Sequence, residues 1–130
     1  MTIRSDSYGT VVEVVAFTRH LLDGQSAFNT TTRPTITETE KFIDRASAAL
    51  NLSLEKAGLT SPITNTTAKL TCDDWVVQRV TEYVELTQRG VGYSGEEGSR
   101  TGYFTRLYKK ADEFIGESLL GFKRLGVGVS

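Results

Sequence analysis

Covalent cross-links within the chain are excluded at once, because only Cys72 among its 130 residues is a cysteine. A lone thiol forms no internal disulfide and fits a reducing compartment. Histidine is equally scarce, with His20 alone. One cysteine and one histidine cannot supply the usual four ligands of a zinc site. Long hydrophobic runs are missing, and none approaches the ~20 apolar residues of a membrane-spanning helix, so no membrane partner is expected. Met1 to Gly9 has no apolar signal core, so synthesis in the cytoplasm is expected. Charge of one sign is not in excess either: fifteen Lys and Arg face sixteen Asp and Glu, a formal net charge of −1. Duplex binding draws on Lys and Arg set against phosphates, so this balance supports at most a local basic patch.

What is there describes an ordinary folded domain. Hydrophobic residues make up 38% and charged residues 24%, enough apolar surface to offset chain entropy. The length suits one domain over residues 1–130 and leaves a modest core, so association adds to stability. Three Asn-x-Ser/Thr triplets, starting at Asn29, Asn51 and Asn65, read as loop and cap polarity rather than glycan acceptors.

Hydrophobic spacing predicts an all-α fold, a bundle of about four helices with long polar loops and an extended C-terminal tail. Val11, Val14, Val15, Thr18, Leu21 and Leu22 recur at helical spacing from about Thr10 to Asp23, with Gly24 as the stop. Thr35 and Glu38 form a capping-box pattern ahead of Ile36, Ile43, Leu50 and Ala57, which repeat every seven residues. Phe42, Ala46, Ala49 and Leu54 widen that stripe, Asp44, Arg45, Glu55 and Lys56 take the solvated side, and Gly58 ends the helix. Leu59 to Leu70 reads as a loop containing Pro62. Thr71 is expected to cap a third helix whose positive end favours Asp73 and Asp74, with Val76, Val80, Tyr83, Val84 and Thr87 inside and Trp75 beside them. Gly90 to Gly102 holds five glycines and reads as an exposed, flexible loop. The last helix runs from about Ser99–Tyr103 to Leu125, with Phe104, Leu107, Tyr108, Ala111, Phe114, Ile115, Leu119 and Phe122 on its apolar face. Gly116 and Gly121 weaken its interior by up to ~1 kcal/mol each, tolerable where something packs closely.

Chemistry finds little support. His20 with Asp23 lacks a serine in a nucleophile context and reads as a histidine near a helix C-terminus. Cys72 beside two aspartates is poorly placed to form a thiolate and reads as a small, half-buried thiol. The pairs Asp73–Asp74 and Glu96–Glu97 point about 100° apart on a helix and make no shared acid–base site. Gly90-Val91-Gly92-Tyr93-Ser94-Gly95 matches a dinucleotide fingerprint in letters only, because a helix precedes it where a strand is required. No enzyme and no cofactor are expected. Arg100, Tyr103, Arg106, Tyr108, Lys109 and Lys110 interleave basic and aromatic residues near the start of the last helix. They suit an acidic protein partner or, as the alternative function, a small nucleic-acid-binding or regulatory protein using that helix.

One stretch resembles a known family. The run from Arg33-Pro34-Thr35 through Glu38, Phe42-Ile43-Asp44-Arg45-Ala46, Ala49-Leu50-Asn51 and Leu54 to Ala57-Gly58-Leu59 and Pro62 is similar to head-tail adaptor (head completion) proteins of long-tailed bacteriophages. Tyr8-Gly9-Thr10-Val11-Val12-Glu13-Val14 also looks like the first helix of that family. The resemblance implies a structural virion protein at the neck, forming a ring of commonly about twelve copies beneath the portal. Such a ring extends the DNA channel, lets DNA pass without specific binding, and presents a platform to a tail, stopper or tail-terminator protein. The expected partner interface combines Tyr93, Arg100, Tyr103, Arg106, Lys109 and Lys110 with the C-terminal Leu125, Val127 and Val129. Those last three are expected to bury little in a monomer and to anchor in a partner groove.

Overall fold

The strongest signal in the sequence, Thr35 to Gly58, becomes the central helix of the computed structural model. The structure describes residues 3–18, 28–29, 32, 34–89 and 100–128, with the backbone alone over 86–89 and 100–105. Four helices stand among the described residues: α1 (Val11–Thr18), α2 (Ile36–Lys56), α3 (Thr66–Arg89) and α4 (Arg100–Arg124). The architecture is all-α, as expected.

Helix α2 starts and stops by local chemistry. The Thr35 hydroxyl accepts the Glu38 amide, and the Glu38 carboxylate accepts the Thr35 amide. At the other end Gly58 turns left-handed, with φ +83°. Its amide donates to the Glu55 carbonyl, and the Leu59 amide reaches back to the Leu54 carbonyl at 2.9 Å. That is the Schellman stop, sealed by two fully buried leucines, Leu54 and Leu59. The heptad stripe lies inside, with Ile43, Ala46, Ala49, Leu50 and Leu54 all buried. Each large aliphatic side chain buried this way contributes ~1.5–3 kcal/mol.

Helix α2 packs on both α3 and α4, and α1 packs on α3 and α2. The Phe42 ring of α2 stacks on Tyr83 near the end of α3, while Tyr8 links Asn51 of α2 to Ile63 just before α3 begins. Helices α2 and α3 are therefore antiparallel. Glu82 pairs with Lys110 and Asn65 with Leu125, so α4 also runs against α3 and parallel to α2. Val76, Val80, Tyr83 and Val84 line the interior of α3. Trp75 stacks on Phe114 of α4 at 6.0 Å, beside that stripe.

Several boundaries differ from expectation. Helix α3 starts at Thr66, not after Thr71. The Asn65 side chain accepts the Ala68 amide at 3.1 Å and is its cap. Thr71 lies inside the helix, and its hydroxyl bonds back to the Thr67 carbonyl. Gly102, assigned to the glycine loop, lies in the first turn of α4. The first helix is seen from Val11 to Thr18, capped by Thr10 through the Glu13 amide. Its expected continuation through Leu21 and Leu22 to Gly24 lies outside the described residues, as do Gly90 to Ser99. Tyr108, assigned to the apolar face of α4, is exposed.

The largest difference is at the C-terminus. Gly126 adopts φ +86°, its amide donates to the Lys123 carbonyl, and the Val127 amide donates to the Phe122 carbonyl. Helix α4 thus ends in the same Schellman turn as α2, and Val127 is buried with Phe122. The Thr60 amide then takes the Gly128 carbonyl at 2.8 Å.

Candidate functional site

Of the residues weighed for chemistry, Cys72 and Asp73 take structural roles. Cys72 is fully buried in α3, deeper than the half-buried thiol expected. Burial, aided by the Asp73 carboxylate and opposed by Lys69, pushes its thiol up to about 12, which leaves it protonated and unreactive at neutral pH. Asp73 is not at a helix start. It sits in the second turn, where it accepts the Gly9 amide at 2.9 Å and pairs with Lys69 at 3.2 Å. His20 with Asp23, and Glu96 with Glu97, lie outside the described residues. Among the described residues no three His, Cys, Asp or Glu gather as a metal site, and no helix is long and apolar enough to cross a membrane.

A polar seam joins the N-terminal segment to the bundle instead. Asp44, expected on the solvated side of α2, accepts the Arg4 amide at 2.9 Å and the Ser7 hydroxyl at 2.7 Å. One turn on, Ser47 accepts the Tyr8 amide at 2.9 Å. Asn51 donates to the Asp6 carbonyl and accepts the Tyr8 hydroxyl. That hydroxyl in turn accepts the Ile63 amide at 2.9 Å. Burial raises the Tyr8 phenol well above its ordinary value, against the pull of the Ile63 amide. Positions 44, 47 and 51 share one side of a helix, which is why three short polar side chains can hold an irregular segment. Gly9 follows with φ +77°, and a Cβ there would lie 2.9 Å from Val77 Cγ2. Between α2 and α4, Asp112 accepts the Ser53 hydroxyl and pairs with Lys56 at 2.9 Å. Those two donors hold its carboxyl below the usual carboxylate range.

The expected partner interface is not one patch. Lys109 is exposed, Lys110 pairs with Glu82 of α3 at 3.3 Å, and Arg106 is half-buried. Asp112, Glu113 and Glu117 share the exposed side of α4 with Lys109, Lys123 and Arg124, so its charge is mixed. The Arg100 and Tyr103 backbones lie in the first turn of α4, their side chains outside the described set. Tyr93 and Val129 lie outside the described residues. Val127 corrects the reading of a loose tail, because it is buried against its own chain. Leu125 at the root of that segment remains 40% exposed.

The apolar surface that does face outward lies elsewhere. Helix α1 reads Val-Val-Glu-Val-Val-Ala-Phe-Thr and buries only Val14, Val15 and Thr18. Val12 is 79% exposed and Phe17 61%, with Ala16 exposed between them. Leu70 on α3 and Leu120 on α4 are also exposed. Among the described residues nothing lies within 4 Å of a Cβ placed on Gly116 or Gly121. The sequence did carry the α1 signal: a surface helix is apolar on one stripe, and this one is apolar nearly all round. No family model, curated protein or solved structure matches the chain.

Proposed function

We propose that this protein is a structural assembly subunit, a head-tail adaptor that forms a ring between a portal and a tail or stopper protein and lines part of a DNA channel. The observation that carries this reading is the outward side of α1. An eight-residue helix that buries Val14 and Val15 on its own subunit and presents Val12 and Phe17 to solvent has a second side for a neighbour. Two different faces per subunit are what a head-to-tail contact requires, and such contacts close into rings. The capped and stopped α2 coincides with the stretch that resembles adaptor proteins. Near-neutral net charge suits a channel that DNA slides through without being gripped.

Nucleic-acid binding by the last helix is the weaker reading. Lys110 is engaged with Glu82, and acidic side chains interrupt the exposed basic ones. Electron microscopy of the protein mixed with a portal protein tests the leading proposal. An added ring beneath the portal is expected, with no retardation of duplex DNA at physiological salt. A protein that stays monomeric at high concentration and ignores portal would overturn it.

A further inference from the structure

Helices α1 and α4 lie on opposite faces of the α2–α3 pair. On α2, Asp44, Ser47 and Asn51 hold the N-terminal segment that leads into α1, while Ser53 and Lys56 hold Asp112 of α4. Those two sets stand about half a turn apart around the helix. Helix α3 repeats the arrangement. Its Asp73 and Val77 lie against Gly9, and about half a turn away Trp75 stacks on Phe114. Each outer helix buries an inner stripe, Val14 and Val15 in α1 and Leu107, Ala111, Ile115 and Phe122 in α4. Their outward sides therefore point away from each other.

Those two sides complement one another in charge and in relief. Between Val11 and Thr18 the one charged residue is Glu13, exposed beside Val12, Ala16 and Phe17. On α4, Leu120 is exposed, and the exposed cations Lys123 and Arg124 follow it three and four positions on, within reach of the same surface. Glu113 and Glu117 lie on the other side of Leu120, toward the helix start, so the positive charge is gathered at the C-terminal end. Among the described residues no ion pair engages either cation, whereas Lys69 beside the exposed Leu70 of α3 is held by Asp73. Gly116 and Gly121 are exposed next to Leu120 and add no side chain, which leaves room for a large apolar group against the helix. One side thus offers valine and phenylalanine with a negative charge, and the other offers leucine with two positive ones. Both lie on one chain and face opposite ways, so the partner that fits each is a second copy, repeated head to tail. We propose that α1 of one copy docks on the outward side of α4 of the next, with Phe17 against Leu120 and Glu13 facing Lys123 and Arg124. The inference rests on the ring reading above and deepens it by naming the two surfaces that meet.

Cross-linking tests the contact. Ala16→Cys and Glu117→Cys change exposed positions of the full-length chain, and Cys72 is buried and does not compete. The two variants are mixed at a concentration where light scattering shows assembled protein and treated with a short bis-maleimide. A mixed covalent dimer well above the homodimer of either alone is expected. The double variant A16C/E117C is expected to give a ladder of linked copies. Linked homodimers of Ala16→Cys alone, or no mixed dimer, would overturn the α1–α4 contact and leave the ring reading standing. Protein that stays monomeric at every concentration would overturn both. Charge reversal gives a second reading that needs no cysteine. Lys123→Glu with Arg124→Glu is expected to raise the concentration needed for assembly roughly tenfold, and Glu13→Lys added to the same chain is expected to restore it. Assembly unchanged by the first pair, or not restored by the third change, would overturn the pairing.

Discussion

At the scale of single residues, several polar side chains among the described residues hold the fold together. Tyr8 is the clearest example. Its hydroxyl sits between the Asn51 side chain and the buried Ile63 amide. Tyr8→Phe would leave that amide without its acceptor and is expected to cost ~1–3 kcal/mol, read from urea unfolding. Gly9→Ala adds a Cβ at 2.9 Å from Val77 and strains a positive φ, and a loss of ~2 kcal/mol or more is expected in the same assay. Alkaline pH acts on Cys72 and Tyr8 together. Both folded values are raised, so the folded chain holds these protons more tightly than the unfolded one. Stability from these groups is full below the ordinary thiol value of about 8.5 and falls as pH climbs through 9 to 11. Unfolding midpoints measured from pH 7 to 11 should decline, and Cys72 should resist alkylation at pH 8 until denaturant is added.

At the scale of elements, helices begin and end where the sequence places local partners within a turn. Thr35 with Glu38, and Gly58, were readable because cap and partner lie within a few residues of one another, and Thr10 marked the start of α1, where it receives the Glu13 amide. The start of α3 was misread for a related reason. Asp73 and Asp74 look like residues drawn to a positive helix end, yet Asp73 answers to the Gly9 amide, 64 positions away in the chain. The true cap, Asn65, has two roles, holding Ala68 with its oxygen and Leu125 with its nitrogen. Asn65→Ala is expected to cost ~1–2 kcal/mol. Hydrogen exchange should quicken in the first turn of α3 and also at the Val127 amide, because one side chain serves both helix ends.

At the scale of the whole molecule, the bundle closes most of its core and leaves one helix apolar on both sides. Val12 and Phe17 contribute little to a lone subunit, so Val12→Asp with Phe17→Asp should change its unfolding free energy by less than ~0.5 kcal/mol. The same pair is expected to abolish assembly in sedimentation velocity. Assembly that survives both changes would move the interface away from α1.

Periodicity and capping chemistry by themselves determined the all-α class, the inward stripes of α2 and α3, and most helix ends. Those signals act over three to seven residues, and the residues that exchange them are close in the chain whatever the rest of it does. Leu107, Ala111, Ile115 and Phe122 of the α4 stripe were legible too, whereas Tyr108 faces outward and the Phe104 side chain lies outside the described set. Only the tertiary structure decided which polar residues are structural. Asp44, Asn51, Asp73 and Asp112 look like ordinary surface residues until their partners, 37 to 64 positions away, are brought beside them. It also decided the fate of the C-terminal segment. A short run rich in glycine and valine carries no sign of where it will dock. The seat that holds Val127 and Gly128 exists only once the ends of α2 and α4 and the start of α3 meet.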